Sequence, residues 1–147
     1  MFDQLKKVFD KKIIEENEEF NTLQIAISTL MIQTAVYDGV FDEQEKSKIL
    51  ELIKNYFNFN ENQKIQLFAV AMKANDESND MQQFTRTLND TLSEEEKLII
   101  IEMLWKIIIS DGRIDDYENA LIRKISGLLY IDDRKVGEIK KKLINQK

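Results

Sequence analysis

The sequence predicts an all-α fold, a compact bundle of seven to eight helices, from three observations. The chain of 147 residues contains no proline and only four glycines, so it has few signals for the frequent turns that sheets need. Apolar residues recur at helical spacing in one segment after another. Residues that favour helix ends stand between these segments. With 43% hydrophobic and 33% charged residues, the composition is typical of a single soluble domain with its own core.

The first amphipathic segment spans residues 2–16. Its apolar residues, spaced as on one face of a helix, are Phe2, Leu5, Val8, Phe9 and Ile13. Lysines stand between them, so a basic membrane anchor is one interpretation. Aspartates within the segment and the glutamates that follow it oppose binding to anionic lipid. We therefore predict that residues 1–20 contribute an N-terminal helix packing on a domain of residues 21–147.

The first half of that domain, about residues 21–73, is predicted to contain three helices. Asn21 or Thr22 caps the first, which runs to about Tyr37. The second begins after Asp42. Asn60 and Gln63 have the spacing of a capping box, in which two side chains satisfy each other's backbone amides, for a third helix that ends near residue 73. The polar stretch 74–80 is predicted to be an exposed loop between the halves.

The second half, about residues 93–146, repeats this layout. A short helix containing Met81 precedes it and is predicted to end at residues 89–91. Ser93 and Glu96 form another capping box. The helix they begin carries the apolar run 98–109, which is dense enough to predict burial on nearly all sides. Two further helices follow, so the domain is predicted to be an internal pseudo-twofold duplication.

One motif, D-G-x-x-D-x-x-E, occurs once in each half between two predicted helices. The copies are Asp38-Gly39-Val40-Phe41-Asp42-Glu43-Gln44-Glu45 and Asp111-Gly112-Arg113-Ile114-Asp115-Asp116-Tyr117-Glu118. Glycine can adopt the left-handed conformation that ends a helix. The second aspartate can cap the next helix, and the glutamate three residues later completes a capping box. Val40 and Phe41 in the first copy, or Ile114 in the second, can tuck an apolar side chain beneath the turn. Most of the motif is thus explained as a structural turn that reverses the direction of the chain between two helices.

The capping and turn chemistry does not account for the first aspartate of each copy, Asp38 or Asp111. Each lies near a helix C-terminus, where a carboxylate is unfavourable by roughly 0.3–1 kcal/mol. Loop amides or a bound cation could offset that cost. Oxygen ligands suit calcium or another divalent cation, although the spacing is not that of an EF-hand. The candidate metal ligands are Asp38, Asp42, Glu45, Asp111, Asp115 and Glu118. We favour the structural turn over a metal site.

Several function classes are opposed by composition. The chain has no cysteine and no histidine, which removes thiolate chemistry, zinc sites built from those residues and imidazole bases. Carboxylate pairs could act as acid and base, but a catalytic constellation is not recognisable, so we predict that the chain is not an enzyme. The net charge of -6 argues against a nucleic-acid partner. We also predict no secretory signal and no transmembrane segment, because the longest apolar run is short and contains Glu102 and Lys106.

The segment from Arg134 to Lys147 is basic, with six basic residues and one acidic residue. We interpret it as a surface helix whose charges face water. It could also dock an acidic partner or anionic lipid.

The helix–Asp-Gly–helix layout, present twice, resembles the tellurite-resistance TerB-like domain, which is also found attached to some membrane-anchored DnaJ-type co-chaperones. The resemblance rests on residues 36–45 and 109–118 and covers roughly residues 21–146. It implies an all-helical fold and an acidic surface, to which the six carboxylates above contribute, proposed to bind divalent metal. It also implies association with stress response, tellurite resistance and membrane-linked complexes.

The resemblance leads to two functional hypotheses. The first is a non-enzymatic, stress-associated module that recognises another protein and is modulated by a divalent cation. The alternative is a direct calcium sensor or buffer that uses the two Asp-Gly turns. The expected location is the cytoplasm, including the inner face of the membrane for a membrane-associated partner.

Overall fold

Seven helices make up the part of the chain that a computed structural model describes, residues 20–37, 41–78, 80–110 and 116–145. They are α1 (Thr22–Val36), α2 (Glu43–Phe57), α3 (Glu61–Glu77), α4 (Met81–Thr91), α5 (Glu94–Ile109), α6 (Asp116–Leu128) and α7 (Asp133–Asn145). Those ranges contain no strand. The predicted all-α class and the number of helices are confirmed. The N-terminal helix predicted within residues 2–16 lies outside the described residues.

Four of the helices begin with a capping box; three of these boxes are predicted from the sequence, whereas for α1 the sequence predicts only a cap at Asn21 or Thr22. Each N-cap side chain accepts a hydrogen bond from the backbone N–H of the residue three positions later. The side chain of that residue in turn accepts the backbone N–H of the N-cap residue. The four N-cap residues are Asn21, Asp42, Asn60 and Ser93. Because a capping box needs only residues close in sequence, these helix starts could be predicted before any tertiary contact was known.

The central helix of the bundle is α1, which packs against α2, α3, α4 and α5. Every residue from Ile25 to Ala35 is buried. The prediction that the run 98–109 is buried on nearly all sides is wrong, because Ile99 is 46% exposed and Glu102 and Lys106 are only partly buried. That run lies in α5, whose neighbours leave one face open.

Polar side chains are buried within α1, and only some of them are satisfied. The hydroxyls of Thr29 and Thr34 donate to the carbonyls of Ile25 and Leu30, at 2.7 and 2.9 Å. Gln33 is 5% exposed, and in the described structure neither atom of its amide has a hydrogen-bond partner. A buried amide without a hydrogen-bond partner costs free energy of folding, so Gln33 destabilises the core.

Two boundaries between the halves differ from prediction. Residues 74–77 continue α3 instead of forming a loop, because Ala74 is buried at 2% exposure and accepts the N–H of Ser78 at 3.0 Å. Residues 89–91 continue α4, where the Asn89 amide donates to the Leu128 carbonyl at 2.9 Å. In both cases a tertiary contact outweighs weak helix propensity.

The directions of three helices follow from their contacts. Glu94 at the start of α5 pairs with Lys135 at the start of α7, and Ile109 and Leu143 near their ends line one groove, so these two helices run roughly parallel. The start of α2 lies near the end of α5, because Glu43 and Gln44 line that same groove. Near the end of α2, burial and then the Glu96 carboxylate of α5 raise the pKa of Tyr56. Thus α2 runs antiparallel to α5, and α5 lies between α2 and α7.

Within each half the three helices contact one another: α1, α2 and α3 in the first, and α5, α6 and α7 in the second. This arrangement fits the layout expected of a duplication. The pseudo-twofold duplication itself stays a prediction.

In the part of the chain that the structure describes, each helix is either too short or too polar to cross a membrane. This agrees with the expectation of no transmembrane segment.

Candidate functional site

The described part of the first acidic turn is a helix cap. The Asp42 carboxylate accepts the Glu45 N–H at 2.8 Å, and the Glu45 carboxylate accepts the Asp42 N–H at 3.5 Å. Phe41 lies against Phe68 with ring centroids 6.2 Å apart, as expected for an apolar residue tucked beneath the turn. Backbone chemistry therefore explains Asp42, while its partner Glu45 is also buried, at 6% exposure.

The second acidic turn is described only at its edges. Ser110 ends α5, and its hydroxyl donates to the Ile107 carbonyl at 2.6 Å. Glu118 occupies the third position of α6 and is 9% exposed. Glu45 holds the same third position in α2. Both buried carboxylates thus lie in the first turn of a helix, where the helix dipole favours negative charge.

Of the six candidate metal ligands, the structure describes three, namely Asp42, Glu45 and Glu118. The other three lie outside the described residues: Asp38, Asp111 and Asp115. Among the residues that are described, no group of three or more acidic side chains is arranged to hold a metal ion. The metal site therefore stays a prediction about the complete turns.

A groove of about 590 Å³ is lined by described residues that flank the two acidic motifs. Its walls come from the start of α2, the end of α5 and the end of α7. The lining residues are Glu43, Gln44, Ser47, Lys48, Glu51, Lys106, Ile109, Ser110 and Leu143. Glu43 and Gln44 belong to the first acidic motif, and Ser110 immediately precedes the second. The fold therefore brings the flanks of the two motifs to one surface feature.

A second groove, of about 470 Å³, continues along the same face of α5 towards its start. It lies between α5 and α7 and is lined by Leu98, Ile99, Glu102, Lys135, Glu138, Ile139 and Lys142. The α5 residues of the two grooves recur every three or four positions, so they form one stripe on the helix. We call the two grooves together the α5 trough.

The α5 trough combines apolar and charged residues. Its most exposed apolar side chain is Ile99 at 46%. Its lining includes four lysines and four glutamates, so the trough is not itself acidic. Some of these charges are paired: Lys48 lies 3.1 Å from Glu51, and Lys135 pairs with Glu94, which raises the pKa of the lysine.

Sequence reasoning did not identify this trough. A signal was present, because Glu102 and Lys106 interrupt the apolar run at a spacing of one helical turn. That interruption marks the face of α5 that no other described helix covers. By contrast, Trp105 is a core residue as predicted, at 3% exposure, with the Lys140 ammonium 5.2 Å from its ring centroid.

The fold and the site define a class: an all-helical domain in which described residues that flank the two Asp-Gly motifs line one surface groove. The family model for tellurite resistance protein TerB matches residues 24–141. The chain therefore belongs to the TerB family, and the resemblance based on the two Asp-Gly motifs is confirmed. No curated protein and no solved structure matches the chain.

Proposed function

We propose that this TerB-family chain is a non-enzymatic module that recognises another protein through the α5 trough. A divalent cation at the two acidic turns would modulate that recognition. One observation carries the proposal: the residues that flank both turns also line the trough. Tellurite resistance and stress response are the biological setting that family membership indicates.

The shape and chemistry of the α5 trough suit a helical segment of a partner. Ile99, Ile109 and Leu143 offer apolar surface along the trough. Amphipathic helices bind such grooves through apolar residues spaced three or four positions apart. Charges of both signs along the walls would fix the partner's register more than they would add affinity.

Cation binding at the turns would act on the trough walls. Glu43 and Gln44 lie between the two capping residues of the first motif, and Ser110 joins α5 to the second. A cation held by carboxylates of these motifs would fix the helix ends that form one end of the trough. Calcium suits such oxygen ligands, which here would be drawn from Asp38, Asp42, Glu45, Asp111, Asp115 and Glu118.

Two observations support a non-catalytic role. TerB domains are generally non-enzymatic. The whole chain lacks cysteine and histidine. Reduction of tellurite by a protein thiol would need a cysteine, so this chain would contribute to resistance through binding rather than through its own redox chemistry.

The alternative function is a calcium sensor or buffer that needs no protein partner. The observation that favours it is the equivalent placing of Glu45 and Glu118, each buried in the first turn of the helix that follows an acidic motif. Two such carboxylates could complete cation sites if the first aspartate of each motif faced them.

A melting experiment tests the cation. We expect millimolar calcium to raise the Tm of the wild-type chain and to leave unchanged the Tm of the double variant Asp38→Asn, Asp111→Asn. If calcium and magnesium leave the wild-type Tm and the Trp105 emission unchanged, both the sensor function and the modulation by cation are wrong.

A binding experiment tests the trough. The exposed isoleucines Ile99 in the trough and Ile65 on α3, which is 55% exposed, provide matched variants. A partner recovered by the wild-type chain should be lost with Ile99→Glu and retained with Ile65→Glu. Equal recovery with both variants would contradict recognition through the trough. Calcium stabilisation without any partner sensitive to Ile99 would favour the sensor.

A further inference from the structure

We propose that the amphipathic segment of residues 2–16 packs as a helix in the α5 trough, antiparallel to α5, and covers the surface that a partner would use. The proposal depends on the geometry of the trough and on the pattern of the segment, and it holds whether or not a protein partner exists.

Phe20, the first described residue, lies towards the end of the trough that the start of α5 forms. Phe20 is 3% exposed and lies against Phe59, with ring centroids 5.6 Å apart. Ring contacts continue from Phe59 to Phe57 at 5.4 Å and from Phe57 to Tyr56 at 4.9 Å. Tyr56 in turn lies within electrostatic range of Glu96 in the first turn of α5. Residues 17–19 can span roughly 10 Å when extended, and they connect the C-terminal end of the segment to Phe20 on that side of the trough.

The length of the segment also fits. As a helix, residues 2–16 would be about 22 Å long, and α5 with its 16 residues is about 24 Å long. A helix that runs antiparallel to α5 with its C-terminal end beside Glu96 would therefore have its N-terminal end beside Ile109 and Ser110, at the far end of the trough.

The spacing of the segment's apolar residues matches the spacing of α5 residues that line the trough. Most of its apolar residues form one row with successive steps of three, four and four positions: Phe2, Leu5, Phe9 and Ile13. Four α5 residues that line the trough have the same steps when followed in reverse: Ile109, Lys106, Glu102 and Leu98. Two antiparallel helices with matched rows can interdigitate along their whole length. The apolar stems of Lys106 and Glu102 would extend the contact made by their neighbours Ile99, Ile139 and Leu143.

The charges favour this occupant over an anionic membrane. Residues 2–16 contain four lysines and four carboxylates, so the segment has no net attraction for acidic lipid. Lys6 and Lys12 would flank the apolar row on opposite sides of the helix. The two trough walls carry carboxylates that could pair with them, Glu51 on α2 and Glu138 on α7.

Disulfide trapping tests the position directly, since the chain has no native cysteine. In the full chain, Leu5→Cys with Lys106→Cys should form an intramolecular disulfide under mild oxidation. The control pairs Leu5→Cys with Gln66→Cys, an exposed position on α3. Because α3 starts two residues after Phe59, a segment that is merely tethered at Phe20 would reach either position. Equal trapping of both pairs, or disulfides only between two chains, would overturn the proposal.

Limited proteolysis provides a second test that introduces no cysteine. Trypsin cleaves after lysine, so the Lys6–Lys12 region should be protected while the segment is docked. Ile99→Glu should accelerate cleavage there about tenfold, because proteolysis follows the population of the undocked form. Ile65→Glu should leave the rate unchanged. Equal rates in the two variants, or protection that appears only when vesicles of phosphatidylserine and phosphatidylcholine are added, would overturn docking in the trough.

Discussion

At the scale of single residues, Asp42 can serve both the fold and a cation. Its side-chain oxygen caps α2 by accepting the Glu45 N–H at 2.8 Å. An asparagine would keep that acceptor, whereas an alanine would remove it. We expect Asp42→Ala to lower the free energy of unfolding by about 1 kcal/mol in urea with chelator present, and Asp42→Asn to change it by only a few tenths.

Calcium separates the two roles of this residue. Both Asp42 variants lack the carboxylate, so both should show a reduced calcium-dependent rise in Tm compared with the wild-type chain. If Asp42→Asn is as unstable as Asp42→Ala without calcium, the cap is not what Asp42 contributes to stability.

Gln33 offers a stabilising substitution. Its amide is buried in α1 and unpaired within the described structure. Methionine has a similar shape without polar amide atoms, so Gln33→Met should raise the free energy of unfolding by about 1 kcal/mol in urea denaturation. Thr34→Val is the control, because the Thr34 hydroxyl already donates to the Leu30 carbonyl at 2.9 Å and should not give this gain. A loss of stability in Gln33→Met would show that the amide is satisfied in solution.

Site residues could be predicted from the sequence only where their partners are close in the chain. The capping role of Asp42 depends on Glu45, three residues away, so the motif alone was sufficient. The trough depends on α2, α5 and α7 meeting, and its residues lie up to a hundred positions apart. Local sequence patterns do not predict how these three helices pack together. The one local signal is the pair of charged residues, Glu102 and Lys106, within the apolar run of α5.

At the scale of helices, α2 and α6 end in the same way with different residues. Asn58 and Tyr130 both have left-handed backbone conformations, with φ of 56° and 60°. In each case the following N–H bonds back across the helix end, from Phe59 to the Lys54 carbonyl and from Ile131 to the Ser126 carbonyl, both at 2.9 Å. This is the hydrogen bond of a Schellman motif, which favours glycine or asparagine at the left-handed position.

Tyr130 is therefore an unfavourable choice for its position. It is 83% exposed, and its ring contact with the Lys97 ammonium, at 6.0 Å, is weak compensation. We expect Tyr130→Gly to raise the free energy of unfolding by about 1 kcal/mol, because glycine adopts this conformation without steric cost. Asn58→Gly should produce a smaller change in the same chemical denaturation experiment. If Tyr130→Gly destabilises the chain, contacts of the tyrosine ring must outweigh its backbone strain.

The helices themselves could be predicted better than their environments. Capping residues and apolar spacing were sufficient for the starts of α1 to α3 and α5. The burial of α5 was overestimated and that of α1 was not anticipated, because the run 98–109 is more apolar than α1, which contains Ser28, Thr29, Gln33 and Thr34. Burial depends on how many neighbours a helix has, and α1 has packing partners on all sides.

At the scale of the whole molecule, α1 joins the two halves into one core. It contacts α2 and α3 from its own half, and α4 and α5 beyond it. A further link to the second half is the Asn89 amide of α4, which donates to the Leu128 carbonyl at 2.9 Å. Although the sequence suggests two similar halves, the described contacts indicate one cooperative unit.

Cooperativity can be tested from opposite halves of the chain. Ile27 in α1 and Ile122 in α6 are both fully buried. Replacing either with alanine should lower the free energy of unfolding by about 3 kcal/mol through lost burial and a residual cavity. In each variant, Trp105 emission, which reports on α5, and far-UV circular dichroism, which reports on all helices, should give the same urea midpoint. Ile27→Ala could instead lower the urea midpoint measured by circular dichroism and leave the midpoint of the Trp105 transition unchanged. In that case the two halves unfold separately, and the domain is not one cooperative unit.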